Sequence, residues 1–371
     1  QVKNGDVVVV DGRDGHVLIN PDAETQSAYR KLQREFFDLK DALAENRDQP
    51  AMSADGQAVQ LLANINSVAD ARAAQAMGAS GIGLFRTEYL FLTHPSVPDE
   101  EEQLAAYREI IAASPQHQVT IRTLDLGGDK TTPYLGHARE ANPFLGWRSI
   151  RLSFEHPEFF ATQLRAILRA AAPEPEYLPR VQMMFPMITT LEELRRVRAM
   201  VDKEIRHLQD QGKPFGPVKL GLMVEVPAAA IAIDMLLDEV DFVSIGTNDL
   251  VQYLMAADRD NPRVNHLCQP LSPAVLRVLS NVIREANARQ KPVTVCGEMA
   301  GSPLEAMTLI GLGLRSVSMA PASIGPIKAM ILSLNAEKVT DCVESLLKEG
   351  AKDVRANLLK FAENEGVEID H

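Results

Sequence analysis

Apolar residues along the chain fall into short β-branched runs and longer stretches with helical spacing, and the two kinds alternate. The chain opens with Val7–Val10, a polar turn from Asp11 to Gly15, and then His16-Val17-Leu18-Ile19-Asn20, a pattern that predicts a hairpin. Two strands cannot bury a core of their own, so this segment reads as the tail of a domain whose body lies elsewhere. Tyr29, Leu32, Phe36, Leu39 and Leu43 then recur at alternating spacings of three and four, one apolar face of a helix. Pro21-Asp22 supplies its start and Pro50 its stop. The heptad does not persist, which disfavours a coiled coil; a connector helix packed on a neighbouring domain is expected.

From Val59 onward, strand-like and helix-like runs take turns. The candidate strands are Val59–Ile65, Gly81–Phe85, Val119–Leu124, Val181–Phe185, Lys219–Val226, Phe242–Ile245, Pro292–Cys296 and Ser316–Met319. Helical patterns such as Leu191–Leu208, Pro273–Arg289 and Pro303–Ile310 lie between them, and Ala336–Lys348 and Asp353–Asn364 close the chain. Such alternation implies parallel strands joined by crossover helices. Eight units predict an α/β fold, a (β/α)₈ TIM barrel preceded by a hairpin and a linker helix. No Gly-rich dinucleotide fingerprint follows the first strand, which weighs against an open doubly wound sheet. The expected organisation is a domain remnant at 1–20, a linker helix at 21–50 and the barrel at 51–371.

The 371 residues are 46% hydrophobic and 24% charged, enough apolar content for a large core. No stretch approaches the roughly 18 apolar residues of a membrane span, and no leader pattern opens the chain. It begins with Gln1 rather than Met, so a fragment or processed chain is expected. Cys268, Cys296 and Cys342 are too scattered for a disulfide framework or a zinc pattern and suit a reducing cytoplasm. A net charge of -12 offers no basic footprint for nucleic acid. An anionic ligand would therefore need a local cluster of arginines.

In a barrel of this kind, chemistry belongs where strands end and βα loops begin. Arg86-Thr87-Glu88, Arg122 to Asp125, Glu225, Gly246-Thr247-Asn248-Asp249 and Cys296-Gly297-Glu298 all fall there. Arg86, Arg122, Arg148 and Arg259 would converge with Lys130 on one mouth. Each alone reads equally as a structural salt bridge, but five cations together need negative charge, and a phosphate dianion suits their geometry. Glu225 and Asp249, on adjacent strand ends, either pair with those arginines or hold Mg²⁺, which takes one or two carboxylates plus substrate oxygens and waters. No His lies at these strand ends, which disfavours zinc. Cys296 reads as a buried thiol by default, and its place at the mouth also suits a proton carrier.

Several stretches carry a resemblance. Gly81-Ile82-Gly83-Leu84-Phe85-Arg86-Thr87-Glu88, Arg122 to Lys130, Asn142 to Arg148, Met223 to Pro227, Ser244 to Leu250, Asp258-Arg259 and Cys296 to Gly301 resemble, in order, motifs of the phosphoenolpyruvate-utilising enzymes. They are most similar to those of the phosphoenolpyruvate-protein phosphotransferases, enzyme I of the phosphotransferase system. The resemblance implies that Arg86, Arg122, Arg259 and Asn248 bind phosphoenolpyruvate, with Lys130 and Arg148 as further phosphate contacts. It implies that Glu225 and Asp249 hold Mg²⁺, Asp249 also touching the substrate, and that Cys296 donates a proton to the enolate as pyruvate forms. It also implies a homodimer and, in a full-length enzyme, transfer to a His and then to a small HPr-like phosphocarrier protein.

Two departures stand out. None of the eight His has the family's Thr-Ser-His context, so this chain is expected to bind phosphoenolpyruvate without becoming stably phosphorylated. Gly301-Ser302 replaces the usual Gly-Asp, and with Met299 and Pro321–Pro326 it leans toward the nitrogen-related paralogue. The alternatives are a pyruvate phosphate dikinase or phosphoenolpyruvate synthase barrel, from which Asp125 to Lys130 argues away, and a module that binds ligand and dimerises without turnover.

Overall fold

The computed structural model describes residues 2–11, 15–94, 96–127, 140–350 and 352–369, with backbone alone for 35–45. Two units, Gln1–Gln49 and Pro50–His371, make up the chain. In the first, β1 (Val8–Asp11) and β2 (His16–Ile19) pair antiparallel, Val8 opposite Ile19. Asn20 closes the hairpin: its side-chain oxygen accepts from the Val7 amide at 2.9 Å and its own amide donates to the Val7 carbonyl at 2.7 Å. The helix Ala23–Glu45 starts where Asp22 accepts from the Thr25 amide at 2.8 Å, an N-cap that explains the Pro-Asp start. Phe36, Leu39 and Leu43 of its expected stripe lie outside the described side chains.

In the second unit, β3 (Gln60–Ile65), β4 (Ile82–Arg86), β5 (Gln118–Arg122), β6 (Arg180–Phe185), β7 (Lys219–Val224), β8 (Phe242–Ile245), β9 (Val293–Val295) and β10 (Ser316–Met319) close into a barrel. Every neighbouring pair is parallel, and β10 returns to β3 with Val317 beside Leu61. The eight strands fall within two residues of their expected ends. Two ends differ by two residues: β5 stops at Arg122 rather than Leu124, and β7 stops at Val224 rather than Val226, where Pro227 opens the helix Pro227–Ile231.

Side-chain alternation sorts each strand into two faces. Val119 and Ile121 of β5, Val181 and Met183 of β6, and Leu222 and Val224 of β7 join the large core under the outer helices. Their neighbours enter the lumen in layers. At the N-terminal end Thr120 donates to Gln182 at 2.9 Å and Thr294 to Ser316 at 3.0 Å. Above them Leu84, Met184, Met223, Phe242 and Cys296 form an apolar layer. Gly221 makes room for it, since a Cβ there would meet the Phe242 ring at 2.5 Å. The next inward positions are Arg86, Arg122 and Glu225, so the strand period itself lifts charge to the C-terminal mouth.

Outside the barrel, one ion network ties three helices. Glu100 opens the helix Glu100–Ala113 and meets Arg165 and Arg169 of the helix Pro157–Ala170, each at 2.6 Å, and Lys213 at 3.2 Å. Arg165 also reaches buried Glu204 of the helix Leu191–Asp210 at 2.7 Å. Burial alone would raise the Glu100 pKa, but hydrogen bonds from Arg165, Arg169 and Lys213 hold it at about 2, below its ordinary 4.5. Its contribution is therefore complete above pH 4.5 and is lost as pH falls toward 2. Glu100→Gln is expected to lower unfolding free energy at pH 7 by about 2 kcal/mol. Denaturant melts should also show that the variant loses less stability than the parent between pH 4.5 and 2; parallel acid limbs would remove Glu100 from the network's energetics.

Candidate active site

The C-terminal mouth opens into a cavity of about 570 Å³ lined by Arg86, Arg122, Arg148, Glu225, Asn248, Asp249, Arg259 and Cys296. Lys130, the remaining expected contact, lies outside the described residues. Arg86, Arg122, Glu225, Asn248, Asp249 and Cys296 reach the cavity because a strand stops at or just before each, while Arg148 and Arg259 come from longer βα connections.

Arg122 ends β5 and is almost fully buried. Its Nη2 lies 2.6 Å from Glu88 and its Nη1 3.2 Å from Asp125. Glu88 opens the short helix Glu88–Thr93 two residues after Arg86, and also accepts from the Asp125 amide at 3.0 Å. Arg148 is equally buried. Its Nη2 bonds both Asp125 oxygens at 3.0 Å and Asp249 at 3.3 Å, while Nη1 donates to the Tyr253 hydroxyl at 3.3 Å. The carboxylates hold both guanidinium pKa values above the ordinary one, against the opposing effect of burial.

Arg86 and Arg259 differ. Among the described residues neither guanidinium has an ion pair, and the buried Arg259 Nε has no hydrogen-bond partner. Burial and then repulsion from Arg122 push the Arg86 pKa down. Both observations describe cations short of negative charge.

The carboxylate side is the mirror case. Glu225, 1% exposed, accepts from the amide of Met187 at 2.7 Å, a residue whose backbone is left-handed (φ 57°). Burial first, then Asp249 and Asp125, push Glu225 well above the usual carboxylate range. Asp249 sits in the first turn of the helix Thr247–Met255; its Oδ2 serves Arg148, and its buried Oδ1 has no hydrogen-bond partner among the described residues. No group of three or more His, Cys, Asp and Glu among the described residues is arranged to cage a metal.

Asn248 and Glu298 clasp each other, side chain to side chain at 2.9 Å and amide to side chain at 2.8 Å, which ties the β8 and β9 loops together. Cys296 follows β9, buried, its Sγ 3.6 Å from the Ile245 carbonyl, and burial pushes its pKa up. Two supporting groups carried no signal in the sequence. Gln163, wholly buried, accepts from the Leu124 amide at 2.9 Å and donates to Thr87 at 3.3 Å, pinning the ends of β4 and β5. Tyr253 donates to the Phe144 carbonyl at 2.5 Å. Glu88, already placed at the β4 end by the sequence, proves to be the partner of Arg122.

Residues 40–336 match the model of the PEP-utilising enzyme, PEP-binding domain. The chain is 44% identical over 361 residues to a phosphoenolpyruvate-protein phosphotransferase of Geobacillus stearothermophilus, covering 97% of this chain and 62% of that protein. Similar matches are a Staphylococcus carnosus protein of the same name, 44% identical over 93% of this chain and 59% of that one, and one from Haemophilus influenzae, 39% identical over 94% and 60%. This chain thus belongs to the phosphoenolpyruvate-utilising enzymes, through their phosphoenolpyruvate-binding domain. It spans about three fifths of the length of these relatives.

The placement of Arg148 depends on Gly127. The two residues form an antiparallel bridge, Gly127 has φ 104°, and a Cβ there would stand 2.6 Å from the Arg148 Cα. Gly127→Ala is expected to cost roughly 2–4 kcal/mol of stability and to displace Arg148 from Asp125 and Asp249. Thermal unfolding and a crystal structure check this; an unshifted melt with Arg148 in place would show that the bridge is not constrained by this glycine.

Proposed function

We propose that the cavity binds phosphoenolpyruvate with Mg²⁺ and that the chain is the catalytic barrel of a phosphoenolpyruvate-protein phosphotransferase. One observation carries this: Arg86 and Arg259, without ion pairs among the described residues, share a mouth with Asp249, which has an orphaned oxygen there, and with Glu225, a carboxylate that burial and its neighbours push above the usual range. The arginines suit a phosphate dianion, which Arg binds bidentately. Two carboxylates with one orphaned oxygen suit Mg²⁺, which completes its shell with substrate oxygens and water. Glu225 and Asp249 would hold the ion, which when bound offsets charge on the substrate's carboxylate and developing enolate oxygen.

Arg86 and Arg259 neutralise the phosphoryl oxygens during in-line transfer, and Arg122 and Arg148 are preset by their carboxylates to do so without reorganising. Asn248 and Lys130 add further contacts to the substrate. Cys296 gives its proton to the methylene carbon as the phosphoryl group leaves, yielding the methyl group of pyruvate. The acceptor is a His on a part of the full-length enzyme that this chain does not include, from which a small phosphocarrier protein takes the group. In this reading residues 1–20 close the phosphohistidine domain, 21–50 are its linker, and the enzyme works in the cytoplasm. Among the described residues no helix is long and apolar enough to cross a membrane.

Calorimetric titration with phosphoenolpyruvate, with and without Mg²⁺, tests the proposal. Tight binding is expected with the ion alone present, and Glu225→Ala should abolish the Mg²⁺-dependent part while the thermal melt persists. Unchanged Mg²⁺ dependence in that variant would remove Glu225 from the site.

The same reading includes a homodimer, the commonest soluble assembly. Support comes from a cavity of about 480 Å³ beside the mouth, lined by Pro143, Leu145, Val226 and Pro227, and from the exposure of Leu145, Ile231 and Met235 (66%, 72% and 56%). Sedimentation is expected to give a dimer at micromolar concentration; a monomer both with and without substrate contradicts it.

A further inference from the structure

β8 turns Val243 and Ile245 outward to the core and Phe242 and Ser244 into the lumen. Ser244 is 1% exposed, and its hydroxyl has no hydrogen-bond partner among the described residues. Burying a hydroxyl without a partner is costly, and each such group calls for an explanation. The lumen at this level narrows the choice. Leu84, Met184, Met223 and Phe242 offer no strong donor or acceptor; the remaining member of the layer is Cys296. Strand register brings it close. Ser244 stands opposite Thr294, two residues before Cys296, whose amide donates to the Ile245 carbonyl at 3.0 Å.

We infer that Ser244 is a positioning residue for Cys296, donating its hydroxyl hydrogen to the thiolate that remains once the thiol has given up its proton. The assignment rests on the reading of Cys296 as the proton donor. In that step the enolate's π pair forms the new C–H bond at the methylene carbon, the S–H pair stays on sulfur, and the products are pyruvate and a thiolate. Solvent later returns the proton. A thiolate set in a layer of thioether, phenyl and alkyl groups needs a donor, and Ser244 is the neutral donor at hand. In the resting thiol the contact is weak and unclosed; the charged sulfur, a far stronger acceptor, closes it.

The charged groups around the thiol fit this division of labour. Burial pushes the thiol pKa up. Ser244 is the largest influence pulling it down, followed by Arg122 from β5; Glu225 after β7 opposes them and Arg86 from β4 assists. Substrate phosphate would draw on both arginines during turnover, leaving the serine as the thiolate's constant partner.

The test uses this chain with Cys268→Ser and Cys342→Ser, so that Cys296 is the single thiol. Its alkylation by iodoacetamide is followed against pH, and exchange of pyruvate methyl protons with solvent is followed with Mg²⁺ present. Ser244→Ala is expected to raise the alkylation midpoint by about one pH unit and to slow exchange about tenfold. Ser244→Thr, which keeps the hydroxyl, should restore both. An unmoved midpoint in Ser244→Ala overturns the inference. A moved midpoint, with methyl exchange undiminished by Cys296→Ala, upholds the Ser244–Cys296 pair and overturns the proton-donor reading instead.

Discussion

The mouth of the barrel is organised by one buried alternation of charge, Glu88–Arg122–Asp125–Arg148–Asp249. Guanidinium groups almost wholly removed from water survive only where carboxylates surround them. Satisfying Arg122 and Arg148 recruits the helix after β4, the loop after β5, the segment before residue 149 and the helix after β8. The series therefore fixes the relative positions of loops far apart in the chain. It also decides what is left over. With Asp125 and most of Asp249 committed, Arg86 and Arg259 remain short of negative charge and Glu225 short of positive. The imbalance that a ligand and a cation would correct is a by-product of the imbalance already corrected.

Below that series the lumen changes character. The layer of Leu84, Met184, Met223, Phe242 and Cys296 shuts the site off from the N-terminal end, so water reaches the mouth from above. Electrostatic interactions over such a floor are stronger than at an open surface. Gln163 supplies rigidity from the other direction, bonding backbone and Thr87 at the ends of β4 and β5 from the outer helix layer.

The barrel was readable because parallel strands covered on both sides are continuous apolar runs, and Val181–Phe185 or Phe242–Ile245 admit few other readings. The locations of the polar residues were readable for the same reason: a charge that follows such a run must sit at its end. Partner choice was not. Whether Arg122 meets a phosphate or Glu88 depends on the register of β4 against β5, which no local pattern encodes. The Met187 amide reaches Glu225 through a left-handed backbone that a methionine does not announce. Gln163 lies in an amphipathic helix, where a polar residue reads as solvent-facing, yet it is wholly buried. Lys130 lies outside the described residues.

The fixed seat of Cys296 has a stereochemical consequence. β9 holds the thiol on one side of the cavity, against the Ile245 carbonyl. A planar enolate held by Arg86 and Arg259 presents two faces, and on the proposed reading one of them meets sulfur. Hydrogen then enters the carbon from a single direction. If the three hydrogen positions of that carbon carry three different isotopes, the methyl group of pyruvate emerges with one handedness. On that reading the barrel would write its own asymmetry onto an atom that, in the unlabelled product, has none to show.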